Sequence, residues 1–216
     1  MKVALIGASG FVGMATLKEL LQRGHHVTAI VRNIEKISEQ KNLSIISADV
    51  FNEIELINAL KGNDAVISAY NPGWANLEIY NEFIKGSNAI ISAIKQAGIK
   101  RFIVVGGAGS LFIEPDKQLV DSEDFLPEIK QGALAARDFL NIIKEEKDLD
   151  WTYLSPAIEM HPGTSGIRKG AYRTGLENPV YDTNKRSIIS VEDTAVAIVD
   201  ELENPKHIKQ RFTIAY

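Results

Sequence analysis

Hydrophobic positions along the chain follow two rhythms. Lys2 to Ile6 is a short, nearly unbroken apolar run rich in β-formers, and Phe11 to Arg23 places apolar residues at helical spacing before stopping at Gly24. Apolar runs return at His26 to Val31, Leu43 to Ala48, Ala65 to Ala69, Arg101 to Val105 and Trp151 to Ser155, with helical stretches between them. Strands spaced in this way read as βαβ units, and runs that do not alternate with polar residues fit a parallel sheet covered on both faces. The longest helical stretch, Asn76 to Ala97, is either a cover for that sheet or a dimer face. The rhythm breaks after Pro156: Ala157 to Ile189 is rich in Gly, Pro, Thr, Asn and charge, as functional loops are. Helical spacing resumes at Val191 to Glu203, and Arg211 to Ala215 reads as a closing strand. The pattern predicts one doubly wound α/β domain over 1–216, helices on both faces of a parallel sheet, with 157–189 as a small irregular C-terminal insertion on the substrate side.

Composition narrows the function. Acidic residues outnumber basic ones by 28 to 24, a balance unsuited to holding a nucleic-acid backbone. The chain has no cysteine, so disulfides, thiolate metal sites and a cysteine nucleophile are excluded. No His, Asp and Glu fall at metal-ligand spacing, and no metal site is expected. No apolar run approaches the roughly 20 residues of a membrane span. The apolar stretch at the N-terminus, Val3 to Ile6, ends at Gly7 and is needed as a strand. The expectation is a cytoplasmic protein, monomer or homodimer, acting on a small molecule without nucleic acid or membrane as partner.

The strongest motif is Gly7-Ala8-Ser9-Gly10-Phe11-Val12-Gly13, between the first strand and the first helix. Glycines at this spacing allow a tight turn, a close approach of backbone to a pyrophosphate, and close packing of helix on strand. The helix N-terminus then faces the diphosphate. This reads as the dinucleotide site of a Rossmann domain rather than three glycines in an ordinary tight turn, and the expectation is that Gly7, Ser9, Gly10, Phe11, Val12 and Gly13 bind the cofactor. Strand two ends Val31-Arg32-Asn33, with no carboxylate until Glu35. An acid there would hold a ribose 2′-OH; Arg32, with Lys36 four residues on, suits a 2′-phosphate, which favours NADP(H) over NAD(H). The alternative for Arg32 is a solvated strand-end cation. Asp49 and Val50 after strand three, Ala69 and Tyr70 after strand four, and Gly106 and Gly107 after strand five end where such folds bind ligands.

These residues resemble the atypical short-chain dehydrogenase/reductases. Gly7 to Gly13, Val31-Arg32-Asn33, Ala48-Asp49-Val50, Asp64 to Ser68, Val104 to Ser110 and Trp151 to Pro156 are most similar to the NmrA-like and biliverdin/flavin-reductase-like branch, whose members are labelled NADH-flavin reductases. The likeness runs the length of the chain and is specific in the cofactor half. It implies an oxidoreductase, and it matches Ser110 to the serine at the family's active-site strand end. It also implies a Tyr-x-x-x-Lys pair on the helix after strand five, and here the sequence departs. That stretch reads Leu126-Pro127-Glu128-Ile129-Lys130, with leucine four residues before the lysine. The chain's one Tyr-x-x-x-Lys, Tyr181 to Lys185, spans a turn-like Asp182-Thr183-Asn184 within the insertion and reads as a decoy.

Ketone reduction without that tyrosine loses roughly 10²–10⁴ in rate. A flavin or quinone spreads the incoming charge over its ring, so the protein has mainly to align two rings. The sequence therefore predicts hydride transfer from NADPH to a flavin, quinone or similar conjugated acceptor, with FMN or FAD as possible substrates. The alternative is a non-catalytic NADP(H) sensor of NmrA type, and the third reading is a nucleotide-sugar epimerase or dehydratase. Ser110 and His161 are the candidate catalytic groups, against a turn hydroxyl and a surface histidine. Arg168, Lys169, Arg173, Lys185 and Arg186 make the insertion basic, as a phosphate-bearing acceptor such as FMN requires, or as solvated loop charges. Tyr70 and Trp74 are either stacking platforms or ordinary packing.

Overall fold

The computed structural model describes residues 1–216 and places eight strands in one sheet, in the order β3-β2-β1-β4-β5-β8-β10-β9. These are β1 (Lys2–Ile6), β2 (His26–Val31), β3 (Leu43–Ser47), β4 (Ala65–Ser68), β5 (Arg101–Val105), β8 (Asp150–Ser155), β9 (Arg173–Gly175) and β10 (Gln210–Ala215). Every neighbouring pair is parallel except β9 with β10. The chain winds outward from β1 to β3, then restarts on the other side of β1 with β4, which opens a crevice at the strands' carboxyl ends.

Because β1, β4 and β5 lie mid-sheet, residues facing either way are buried: Val3 and Leu5 toward one layer, Ala4 and Ile6 toward the other. One layer is α1 (Phe11–Gln22) against α5 (Val191–Glu203), contributing Leu17, Leu20, Ile198 and Leu202. The other is α2 (Glu53–Leu60), α3 (Ile79–Gln96) and α4 (Pro127–Lys144), contributing Leu56, Phe83, Ile90, Phe139 and Ile143. The stretch expected to cover the sheet or form a dimer face is α3, and it covers the sheet beside α4.

Two features lay outside the apolar pattern. A small hairpin, β6 (Phe112–Glu114) with β7 (Lys117–Gln118), follows β5. The irregular segment 157–189 also contains β9, three residues running antiparallel along β10. At three residues, two of them exposed, β9 has too few apolar positions to announce itself, and its pairing comes from the edge it meets. None of the helices is long and apolar enough to cross a membrane.

Candidate functional site

The turn after β1 is built from backbone. Gly7 has a φ of +77°, and a Cβ there would lie 2.6 Å from the Ala69 carbonyl oxygen at the end of β4. A Cβ on Gly13 would lie 2.0 Å from the Gly7 oxygen, so the third glycine seats α1 against the turn. Gly10 begins α1 with no side-chain cap and no acid in the first turn, which leaves the first amides of the helix to face the crevice. The close backbone packing that Gly7 and Gly13 permit leaves the first amides of α1 lining a cradle that suits a diphosphate.

The crevice is a cleft of about 1160 Å³. That exceeds the roughly 300–1,000 Å³ of ordinary small-molecule sites and is room for a dinucleotide with a second ligand. Gly7, Ser9, Gly10, Phe11, Val12, Arg32, Lys36, Asp49, Val50, Ala69, Tyr70, Gly106, Gly107 and His161 all line it, while Gly13 sits behind the wall. Arg32 and Lys36 are exposed, and neither side chain has an ion-pair or hydrogen-bond partner in the chain. The Asp49 Oδ1 accepts from the Phe51 amide at 2.9 Å, closing its own turn.

The tyrosines at the cleft wall are tied up. Tyr70 donates to the Glu82 carbonyl at 3.2 Å and stacks on Phe83, and burial, with the Glu82 charge second, pushes its phenol up to about 12. Tyr153 on β8 is wholly buried, donates to the Ala136 carbonyl at 2.8 Å, and is held well above the ordinary phenol range by burial. Its ring occupies the space that a side chain at Gly106 would need, since a Cβ there would lie 2.0 Å from the ring. From α4 the cleft receives Ile129, Gly132, Ala133 and Ala136, none of which carries a proton to exchange.

Of the two candidate catalytic groups, one faces the cleft. His161 is exposed on its rim, opening the one-turn 3₁₀ helix Pro162–Thr164. Its Nδ1 accepts from the Gly163 amide at 3.1 Å, which assigns the neutral ring's proton to Nε2. Ser110 is buried and is not part of the cleft wall; its carbonyl and Oγ each accept from Arg211 at 3.1 Å. The one-turn 3₁₀ helix Ala108–Ser110 presents Ala108 and Gly109 to the cleft and turns Ser110 toward β10. Tyr181 and Lys185 both lie outside the cleft, on a turn in which Lys185 has a φ of +59° and its amide donates to the Asp182 carbonyl, so no helix aligns them.

The cations of the insertion are mostly engaged. Arg168 forks onto Glu19 of α1 at 2.8 and 2.9 Å, and Arg186 binds Glu159. Arg173 donates to the Tyr181 and Tyr216 carbonyls, and the Lys169 Nζ sits 3.4 Å from the Tyr216 ring centroid. Lys185 is exposed, and none of the five lines the cleft. A residue that the sequence did not single out is Ser122, which lines the cleft with its Oγ sealed from solvent and without a hydrogen-bond partner. Nothing in its sequence context marks it, because its significance lies in what fails to contact it.

Comparison with known proteins agrees with this geometry. A family profile described as NAD(P)H-binding matches residues 7–205. The chain belongs to that NAD(P)H-binding family. It is 40% identical over 219 residues to the uncharacterized protein YwnB of Bacillus subtilis, covering 99% of this chain and 98% of that one. The crystal structure of a candidate epimerase from Bacteroides thetaiotaomicron is 49% identical, with a TM-score of 0.92 over 100% of this chain and 96% of that one. A candidate NADH-flavin reductase from Streptococcus pneumoniae is 36% identical, with a TM-score of 0.83 over 100% and 99%. The family and its relatives support an NAD(P)-dependent oxidoreductase and agree with the likeness to atypical short-chain dehydrogenase/reductases.

Proposed function

We propose that this chain is an NADPH-dependent reductase that delivers hydride to a conjugated acceptor such as a flavin ring or a quinone. The observation that carries the reading is the contrast along one cleft: unpartnered Arg32 and Lys36 at one end, and an α4 wall of Ile129, Gly132, Ala133 and Ala136 at the other. When bound, the dinucleotide supplies a hydride, so that NADPH, a proton and the acceptor give NADP⁺ and the reduced acceptor.

The residues of the chain do the rest. The backbone of Gly7, Ser9, Gly10, Phe11 and Val12, with Gly13 seating the helix, would hold the diphosphate against the start of α1. Arg32 and Lys36 would grip a 2′-phosphate, which favours NADP(H) over NAD(H). Asp49 and Val50 would border the adenine, Ala69 and Tyr70 the middle of the dinucleotide, and Gly106 and Gly107 the nicotinamide. His161, whose Nδ1 is taken by the Gly163 amide, would offer its Nε2–H as a hydrogen-bond donor to the acceptor, with water supplying the proton. Ser110 would act only from behind, by fixing the strand-five loop through Arg211.

The relative described as an epimerase suggests a different reaction. Epimerisation through a tyrosine–lysine pair needs proton-handling groups on α4, and the cleft side of α4 offers none. The test is the loss of absorbance at the reduced-nicotinamide band with NADPH, with and without menadione or riboflavin. Acceptor-dependent loss is expected, slowed about tenfold in His161→Phe, as removal of a hydrogen-bond donor to the developing charge would. NADPH binding without any acceptor-dependent loss would instead favour a dinucleotide sensor.

A further inference from the structure

The acceptor end of the cleft has a chemical character that its neighbouring sequence concealed. Its walls include Pro72, Trp74, Phe125, Leu126, Ile158 and Met160. Trp74 is 58% exposed, yet it is seated, because its ring lies where a Cβ on Gly132 would come within 2.7 Å. A flat apolar face held at a cleft mouth is suited to stacking on a planar ring.

Charge at this end is negative. The only cations lining the cleft are Arg32 and Lys36, at the end of β2. Three strand spacings, about 14 Å, separate β2 from β5 in the sheet. The charged side chains nearer the acceptor are Glu82, whose Oε2 accepts from the Asn76 side-chain Nδ2 at 2.8 Å, and Asp124, which has no cationic partner. The basic residues of the insertion do not compensate, since they lie outside the cleft and four of the five are held by Glu19, Glu159, the Tyr216 ring or backbone carbonyls. A phosphate carries about −1.5 to −2 charges near neutral pH and would meet like charge here.

Besides His161, a second polar group remains for the ligand. The Ser122 hydroxyl is buried at the wall beside Asp124 and Phe125 and bonds to nothing in the chain. A sealed hydroxyl without a partner costs stability unless something else satisfies it.

We propose that the acceptor end takes an uncharged, planar, carbonyl-bearing acceptor, a quinone or a flavin ring without its phosphate, and that Ser122, on rotating its Oγ into the cleft, donates to that carbonyl. The proposal rests on the reductase reading for its chemistry. The acceptor gains a hydride with its electron pair, and the resulting anion takes one proton from water, so charge and atoms balance. It departs from the expectation of FMN, because the basic insertion that suggested a phosphate is turned to other partners.

The test separates binding from turnover. Riboflavin and FMN are titrated by flavin fluorescence with NADP⁺ present, and NADPH oxidation is followed with riboflavin, FMN and menadione. Riboflavin is expected to bind about three- to tenfold more tightly than FMN at low salt, with the gap closing near 0.5 M salt and in Asp124→Asn. Ser122→Ala should lower kcat/KM for menadione about tenfold and leave NADPH affinity unchanged, with the melting temperature unchanged or raised, since no internal bond is lost. FMN binding as well as riboflavin, a gap indifferent to salt, or failure of riboflavin and menadione both to bind would overturn the proposal. Efficient reduction of FMN would overturn it while leaving the reductase reading intact. Preferential riboflavin binding with no oxidation of NADPH would uphold the site and defeat the reductase reading.

Discussion

The two ends of the cleft treat charge in opposite ways. Near β2, Arg32 and Lys36 are left without partners, and the turn before α1 leaves its amides uncapped. Across the switch point, Asp124 lines the cleft without a cationic partner, while Arg168, Arg186 and Arg173, outside the cleft, are tied to Glu19, Glu159 and backbone carbonyls. A protein leaves charge and donors unpaired where a ligand will satisfy them and pairs them where they hold a loop in place. Counting basic residues in a segment therefore says less than asking which of them have partners.

The largest blow to the dinucleotide end should come from Gly7→Ala. It places a Cβ 2.6 Å from the Ala69 oxygen at a φ of +77°, where an L-residue is strained by about 1–2 kcal/mol. NADPH affinity, followed by nicotinamide fluorescence, should fall about 100-fold while far-UV dichroism keeps its native form. Unchanged affinity would show that the turn is not the phosphate cradle. Arg32→Ala comes next: it should weaken NADPH about 10- to 100-fold and leave NADH unaffected, as removal of a charge-assisted bond would. Equal losses for both would make Arg32 a general surface cation.

Outside the cleft, Glu19→Gln tests whether the insertion's arginines are structural. Arg168, with Arg23, holds the Glu19 carboxyl below the usual carboxylate range despite its burial. A carboxylate with a depressed folded pKa stabilises the fold fully above its unfolded value near 4.3 and loses that contribution as pH falls through the folded value. Glu19→Gln should therefore cost about 2 kcal/mol at pH 7, read by urea denaturation, and the difference from the parent should shrink below about pH 4. A difference that grows in acid would contradict this. The smallest effect is expected from Tyr181→Phe. Its exposed turn lies outside the cleft, so rates should stay within error, and a tenfold loss would reinstate the Tyr181–Lys185 pair.

Much of the frame was legible in the sequence for a physical reason. Strands such as Lys2–Ile6 and Arg101–Val105 are buried on both faces, so their apolar runs are unbroken and their limits sharp. The glycine turn was legible because sterics leave few alternatives at Gly7 and Gly13. The acceptor end was not, because it depends on partners distant in the chain. Ser110 is turned inward by Arg211, 101 residues away, and Arg168 is claimed by Glu19, 149 residues away. β9 likewise exists only because β10 presents an edge. Local pattern encodes elements, while the pairing of polar side chains across the fold decides which of them remain available for chemistry.

The most direct measurement is the rate of NADPH oxidation against NADH oxidation with menadione, for the parent chain and Arg32→Ala side by side. The account predicts acceptor-dependent oxidation at least about tenfold more efficient with NADPH, with the preference abolished in Arg32→Ala. Equal rates with both dinucleotides, or none with either while NADPH binding is seen in the same sample, would contradict it.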